Sequence, residues 1–574
     1  MIGRIRFISV IIILVALVMI VRLYFVQIVD GKTFSADAER QNINENTISY
    51  DRGNIYFESK DREIIPAAIS RSGFTVAINP KVIENPDSIY KQLSQFLVLD
   101  EAEFLAKVSK KDDPYEEIAE HLNTETANKV QELNIYGVTI STDKWRFYPG
   151  GSLASNVIGF VGFDGDELAG RYGLERYYED TLKKDPSKIY NNFFAEFFSN
   201  VKGSLGEDSK EEGDIITTIE PSTQLFLESE LKNVREKWGS DEIGGIIINP
   251  NNGEIMAMAW SPSFDLNNFS ESNAKFFNNP MVEGVYEMGS IVKPITMAAG
   301  IDSGTVSAES TYYDAGFLFL DKRRISNYDN RGRGTVNMQE VLNQSLNTGA
   351  AYVALKMGNE SFSDYMKSFG VGTETGIDLP NEGRGLIKNL DSKRDIEIVT
   401  ASYGQGVAFT PIATVRALSV LANGGTLITP HLVKKIEYKS GLSKKFSFIS
   451  DKQVIKKETS EEISRMLTNV VDTTLRGGNA KIPGYSVAAK TGTAQMTNEG
   501  EAGYVEGKYL HSFFGYFPSY EPKFLVFLFH TYPKDVRYAS ETLTDPFLNI
   551  TKFLINYYQI PPDRPEDVIN TLAQ

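Results

Sequence analysis

The sequence predicts an α+β multidomain chain, and three observations predict it. An apolar run near the N-terminus, broken only by Arg22, is long enough to cross a bilayer. A long region of mixed short segments and polar connections follows. The second half combines hairpin-like strands with apolar helical stretches. The expected divisions are a cytoplasmic tail at 1–6, a transmembrane helix at 7–29, an N-terminal domain at 30–235 and a C-terminal domain at 236–574, an antiparallel sheet flanked by helices.

Phe7 to Val21 carries no charge, the apolar character resumes from Leu23 to Val26 after Arg22, and Arg4 and Arg6 precede it. A run of about 20 residues spans the hydrocarbon core, with Arg22 reaching toward the outer interface. The leading arginines place the N-terminus inside and the remainder outside. A cleaved signal peptide is the rival, since Ala36-Asp37-Ala38 resembles a processing site, but the apolar run is too long and lies too far from it. Lys202 to Asp214, rich in glycine and charge, reads as a loop or hairpin tip. Strand-like Ile215 to Ile219 leads into a helix starting near Pro221. Ile243 to Ile248 and Ile255 to Ala259 flank Asn251-Asn252-Gly253, a hairpin signature. Pro294, lacking an N–H, fits only the first turn of a helix, so that helix starts near Ser290 and runs to about Gly304. Asn337 with Glu340 reads as a capping box, and another helix runs through Val353, Ala354 and Met357. Tyr485 to Ala489 continues into Lys490 to Gln495; after a polar loop from about Met496 to Lys508, Tyr509 to Phe517 and Phe524 to His530 complete an antiparallel meander. Asp545-Pro546 opens a last helix with Phe547, Ile550, Leu554 and Tyr557 on one face, and no further C-terminal module is expected.

The 574 residues are 41% apolar and 23% charged, ordinary for folded protein. A formal charge of −16 and the lack of a basic stripe exclude a nucleic-acid binder. No cysteine occurs, which excludes disulfides, thiolate metal sites and a cysteine nucleophile. The four histidines, His121, His431, His511 and His530, are too scattered for a metal cluster. Neither a metal nor an organic cofactor is expected.

Ser290-Ile291-Val292-Lys293 is followed by Ser345-Leu346-Asn347 and by Lys490-Thr491-Gly492-Thr493. In that order they supply a serine nucleophile, a lysine base one helical turn away, a second hydroxyl, an amide and an anion-binding strand: the parts of an acyl-transfer site using lysine where other serine enzymes use histidine. Spacing alone decides little, because Ser-x-x-Lys recurs at Ser88/Lys91, Ser141/Lys144, Ser199/Lys202 and Ser272/Lys275. Only Ser290 opens an apolar helix, whose N-terminus adds positive potential. Ser345 and Asn347 fall on a short connection between helices. Gly492 implies a close approach to the strand's backbone.

On these motifs the chain resembles the class B, monofunctional penicillin-binding proteins, D,D-transpeptidases that cross-link peptidoglycan. The likeness extends to Tyr286-Glu287-Met288-Gly289, Asn251-Asn252-Gly253-Glu254-Ile255 with Pro262-Ser263-Phe264-Asp265, Ser402-Tyr403-Gly404-Gln405-Gly406 with Thr410-Pro411, Arg52-Gly53-Asn54-Ile55-Tyr56, Tyr148-Pro149-Gly150-Gly151-Ser152-Leu153-Ala154, and Gly173-Leu174-Glu175 with Tyr178. It departs where Phe57-Glu58-Ser59 precedes Asp61-Arg62 and where Met288 replaces a frequent proline. Phe277-Asn278-Asn279-Pro280 and Val292-Lys293-Pro294 resemble the septal, cell-division branch; the side-wall branch is the alternative.

The resemblance implies an elongated mixed α/β pedestal of the dimerisation type at 30–235 and a serine β-lactamase-like transpeptidase domain at 236–574. It implies Ser290, Lys293, Ser345 and Lys490 as catalytic residues, Asn347, Thr491, Gly492 and Thr493 as substrate-binding residues, and the backbone N–H groups of Ser290 and Thr493 as oxyanion hole. The implied partners are peptidoglycan stem peptides, β-lactam antibiotics, a multi-pass glycosyltransferase and division-complex membrane proteins. Lys293 must be neutral to act as base, so its pKa must fall by roughly three units, about 4 kcal/mol. A β-lactamase shares the triple but needs a water-activating glutamate, and no Glu-x-x-Leu-Asn follows Ser345. A tethered sensor that acylates without turnover is a non-enzymatic alternative, disfavoured because every catalytic position holds a competent residue.

Overall fold

The computed structural model describes Met19 and residues 52–165, 167–183, 212–446, 448, 452–497 and 503–567. The expected tail and, Met19 apart, the expected span at 7–29 lie outside them, as does most of the loop expected at 202–214. Among the described residues no helix is long and apolar enough to cross a membrane. These residues form two compact units, one from Ser70–Trp145 and one from Arg52–Ile69 with residues 146–567.

In the smaller unit, residues 74–78 pair antiparallel with Glu116–Leu122, and three helices, Pro86–Leu93, Glu101–Ser109 and Thr124–Glu132, accompany them. Asn85, Asp100 and Asn123 each accept the backbone N–H three residues on, at 3.1, 2.8 and 2.8 Å, satisfying one orphan donor per helix. Val76, Ile78, Leu93, Phe104 and Val130 form the core.

Among the described residues the larger unit holds two principal sheets, besides three two-stranded ones. In the first, Ile55–Glu58 runs parallel to Gly213–Thr217, which pairs antiparallel with Val433–Tyr438. Thus residues 52–69 and 146–235 share a compact unit with the rest of the C-terminal half. Arg52 and Arg146 both clamp the buried Glu175 carboxylate, at 2.6 and 2.7 Å.

The second sheet positions the site. Its strands are β1 (Glu242–Ile248), β2 (Ile255–Ser261), β3 (Ala488–Thr497), β4 (Tyr504–Phe517) and β5 (Phe524–Thr531), in the order β3-β4-β5-β1-β2, with every neighbouring pair antiparallel. All eight residues of β5 are buried, and Phe524 to Phe529 of this central strand read as a continuous apolar run before His530 and Thr531. One face packs Leu227 and Leu231 of helix α1 (Pro221–Trp238) together with Phe547, Ile550 and Leu554 of the C-terminal helix Thr544–Tyr557. The other face packs Met288, Ile291, Ile295 and Leu418. β3 is an edge strand of this sheet.

Two local expectations change. The polar stretch after Gln495 belongs partly to the sheet: Gln495 opposes Tyr509 and Thr497 opposes Tyr504, so ladder pairing outweighs polar composition. Asn337 accepts the Glu340 N–H at 3.1 Å, but Glu340 does not close a capping box; its carboxylate takes Asn343 and Gln344 instead, at 2.8 and 2.7 Å.

Candidate active site

Ser290 sits where β3 meets a turn that only glycine suits. Gly289 has φ +63°, and a Cβ there would stand 2.9 Å from the Thr493 carbonyl oxygen. Its N–H donates to the Gly404 carbonyl at 3.1 Å. A Cβ on Gly404, φ +80°, would stand 2.2 Å from the Gly289 carbonyl oxygen. The segment 402–406 therefore acts as a second backbone wall behind Ser290, and the Glu287 carboxylate ties it down by accepting the Gly406 N–H at 2.9 Å. From Gly289 a 3-10 turn leads through Val292 into helix α2 (Lys293–Asp302), with Pro294 in its first turn as expected. Ile291, Val292, Ile295, Met297, Ala298 and Ala299 are buried, and so is Lys293.

Helices α3 (Met338–Asn343) and α4 (Asn347–Met357) flank Ser345. Ser345 has φ +54°, a left-handed conformation that costs a non-glycine residue free energy and clusters at functional sites. It turns both its oxygens toward Lys293: Nζ donates to the Ser345 carbonyl at 2.5 Å and lies 3.1 Å from Ser345 Oγ and 3.0 Å from Ser290 Oγ. Lys490 Nζ lies 2.9 Å from Ser345 Oγ on the far side and donates to the Thr491 carbonyl at 3.1 Å. The four groups thus form one chain, Ser290 Oγ, Lys293 Nζ, Ser345 Oγ, Lys490 Nζ. Burial, and then the charge of Lys490, holds Lys293 well below the ordinary lysine range. Burial brings Lys490 down to about 7.

The two-residue period of β3 divides the third motif between the faces. Gly492 is buried against the chain itself: a Cβ there would meet Ser512 Oγ at 2.3 Å and the Met288 carbonyl oxygen at 2.7 Å. The close approach expected at Gly492 is therefore the turn before Ser290 docking on β3. Thr491, Thr493 and Lys490 line a cleft of about 1040 Å³ with Ser290, Ser345 and Asn347. Thr493 Oγ1 accepts the Ala539 N–H at 3.1 Å, and Asn347 Nδ2 donates to the Ser326 carbonyl at 2.9 Å. The charged residues lining the cleft are Arg323, Arg324, Arg476, Lys490, Arg537 and a single acid, Glu340, so a protein of net charge −16 opens onto a cationic cleft.

The other Ser-x-x-Lys pairs differ in surroundings where they are described. Lys91 and Lys275 are exposed, and Ser199 and Lys202 lie outside the described residues. Sequence reasoning missed Ser326, Arg537 and Ala539; Arg537 sits in a connection without a motif, and Ala539 opens the short helix that follows it. Among the described residues no cluster of three or more metal-ligating side chains occurs.

Comparison with known proteins gives concordant findings. The penicillin-binding protein transpeptidase domain matches residues 243–551, and the penicillin-binding protein dimerisation domain matches residues 47–218. Stage V sporulation protein D of Bacillus subtilis is 33% identical over 561 residues, covering 95% of this chain and 84% of that protein. The peptidoglycan D,D-transpeptidase MrdA of Acinetobacter baumannii is 29% identical over 581 residues, 91% of this chain and 84% of that one. The crystal structure of penicillin-binding protein 2X from Streptococcus thermophilus shares the fold with a TM-score of 0.71 at 20% identity, over 89% of this chain and 79% of that chain.

Proposed function

The chain belongs to the class B penicillin-binding proteins and is a peptidoglycan D,D-transpeptidase of the serine acyltransferase type, and on that premise we propose how its residues divide the work. Ser290 Oγ gives its proton to the neutral Lys293 amine and attacks the carbonyl between the last two residues of a stem peptide ending in D-Ala-D-Ala. The C–N bond breaks, the leaving amine takes a proton delivered through Ser345 and Lys490, and Ser290 keeps the acyl group as an ester. The amine of a second stem attacks that ester, gives up a proton to the same relay, and returns Ser290 to its hydroxyl form. The observation that carries this reading is Lys293: buried, depressed in pKa and within hydrogen-bond distance of both serine hydroxyls.

Asn347 holds the substrate backbone and Thr491 and Thr493 hold its terminal carboxylate, which the cationic lining suits. Gly492 serves this strand from behind, by admitting the Met288 carbonyl. The backbone N–H groups of Ser290 and Thr493 hold the developing oxyanion; one such donor typically contributes about 3 kcal/mol. β-Lactams acylate the same hydroxyl. The apolar run from Phe7 anchors the protein, with a pedestal at 30–235 and the transpeptidase domain at 236–574 outside the cytoplasmic membrane, beside a glycosyltransferase and division-complex membrane proteins. The septal role rests on the sub-motifs at Phe277 to Pro280 and Val292 to Pro294. A role in spores is the second reading, favoured by the name of the Bacillus subtilis relative.

Labelling with a fluorescent penicillin followed by peptide mapping tests the site. The label is expected on the peptide containing Ser290; Ser290→Ala abolishes it, while Ser141→Ala and Ser272→Ala label normally. Attachment to any other peptide sinks the assignment.

A further inference from the structure

Two histidines that the proposed chemistry does not use lie in one row with the binding strand. In the sheet register Thr493 of β3 opposes His511 of β4, and His511 opposes His530 of β5. Directly paired residues present their side chains to the same face, so the three form a line leading inward from the cleft. Helix α5 (Ala539–Thr542) lies over that line. At one end its Ala539 N–H donates to Thr493 Oγ1. At the other, Thr542 Oγ1 stands 2.9 Å from His511 Nδ1 and 2.9 Å from His530 Nε2. His511 Nε2 is 3.1 Å from the Arg537 carbonyl, and His530 Nδ1 is 2.7 Å from Ser240 Oγ. His511, His530, Thr542 and Ser240 are all buried.

One carbonyl sets the direction of every bond in this chain. The Arg537 oxygen only accepts, so His511 Nε2 carries a hydrogen and donates. In a neutral ring Nδ1 then accepts, and the Thr542 hydroxyl must supply that proton. With its only hydrogen used, Thr542 Oγ1 accepts from His530 Nε2–H in preference to donating to the Ala539 carbonyl at 3.3 Å. His530 Nδ1 in turn accepts from Ser240. Burial keeps both rings neutral, His511 pushed down to about 4 and His530 well below its ordinary value. The chain therefore keeps its direction throughout the neutral range and holds the short helix α5 in one place.

We infer that His511 and His530, acting through Thr542 and Ala539, are positioning residues that fix the Thr493 hydroxyl as a hydrogen-bond donor to the substrate's terminal carboxylate. The Ala539 N–H occupies an acceptor position of Thr493 Oγ1, which leaves the single hydroxyl hydrogen to turn toward the cleft. A carboxylate accepts such a bond, and a bond to a charged group is among the stronger kinds. This inference rests on the transpeptidase reading of the cleft, in which a penicillin's carboxylate takes the place of the peptide's terminal one.

The test measures acylation rate constants of the full-length protein for a penicillin and for its methyl ester. Thr542→Val keeps the shape of the side chain and removes its hydroxyl. It is expected to reduce the preference for the acid over the ester about tenfold, the fold-change from losing most of one bond to a charged group, and Thr542→Ser is expected to restore it. Equal slowing of acid and ester, or no change in either, overturns the inference. Nitrogen-15 NMR of the histidines in the wild-type protein decides the matter even if the valine variant does not fold. His511 and His530 are expected as neutral Nε2–H tautomers at pH 7, and an Nδ1–H tautomer for either one overturns it. Failure of wild-type protein to label at Ser290 would instead sink the reading of the cleft, so the two failures are distinguishable.

Discussion

Removing the charge of Lys490 should move the pH dependence of acylation. Lys293 and Lys490 both reach Ser345 Oγ, at 3.1 and 2.9 Å, so their nitrogens are separated by no more than about 6 Å. At an effective dielectric near 20, two unit charges about 5.5 Å apart repel by roughly 3 kcal/mol, equivalent to about two pKa units. Burial is the larger cause of the depressed Lys293 value and survives the substitution; the repulsion from Lys490 does not. Lys490→Met is therefore expected to move the acidic limb of the acylation profile up by about one to two pH units, whatever it does to the maximum rate. Lys490→Arg retains a positive charge and should leave the limb low. The measurement is the second-order rate constant for a fluorescent penicillin by stopped flow between about pH 5 and 10. Because the two amines titrate as a coupled pair, the quantity compared is the apparent midpoint and not a value assigned to either one. If the midpoint stays or falls in Lys490→Met while only the height drops, Lys490 does not tune Lys293 electrostatically.

The same substitution should stabilise the fold. Lys490 has a folded pKa of about 7 against about 10.4 when unfolded. Between those values the unfolded chain holds a proton that the folded chain lacks, so stability rises with pH across that window and the penalty is largest at and below pH 7. Lys490→Met is expected to raise Tm at pH 7, by an equivalent of up to about 4 kcal/mol, and a lowered Tm contradicts this. Gly289→Ala should lose penicillin labelling, since it combines a positive φ with a contact of 2.9 Å to the Thr493 carbonyl; labelling at the wild-type rate would show that the turn is dispensable. Glu175→Gln leaves Arg52 and Arg146 without their shared carboxylate, and urea titration should show a loss of about 3–5 kcal/mol; a change below 1 kcal/mol would mean that the cluster adjusts around the amide.

The candidate site residues are legible in the sequence because each lies on an element with its own local signature. Pro294 fixed the start of the helix behind Ser290, and the meander around Lys490 to Thr493 emerged as expected apart from its strand ends. What spacing does not encode is environment. Ser290/Lys293 and Ser272/Lys275 are identical as patterns, and they differ physically because Lys293 is buried between two hydroxyls while Lys275 is exposed. Gly492 shows the same limit from another side. Its lack of a side chain correctly signalled a close approach, but only the fold reveals that the approaching group is the Met288 carbonyl. The Ser345 conformation is illegible in the sequence because serine carries no preference for the positive φ it adopts in the turn between α3 and α4. The histidines mark the furthest reach of the problem. Along the chain the four histidines are too scattered for a metal cluster, yet pairing of β4 with β5 brings His511 and His530 within 5.1 Å of each other, ring to ring. A residue whose function is to hold another in place finds its partners across the sheet, so its role is written in the register of the strands and not in the spacing along the chain.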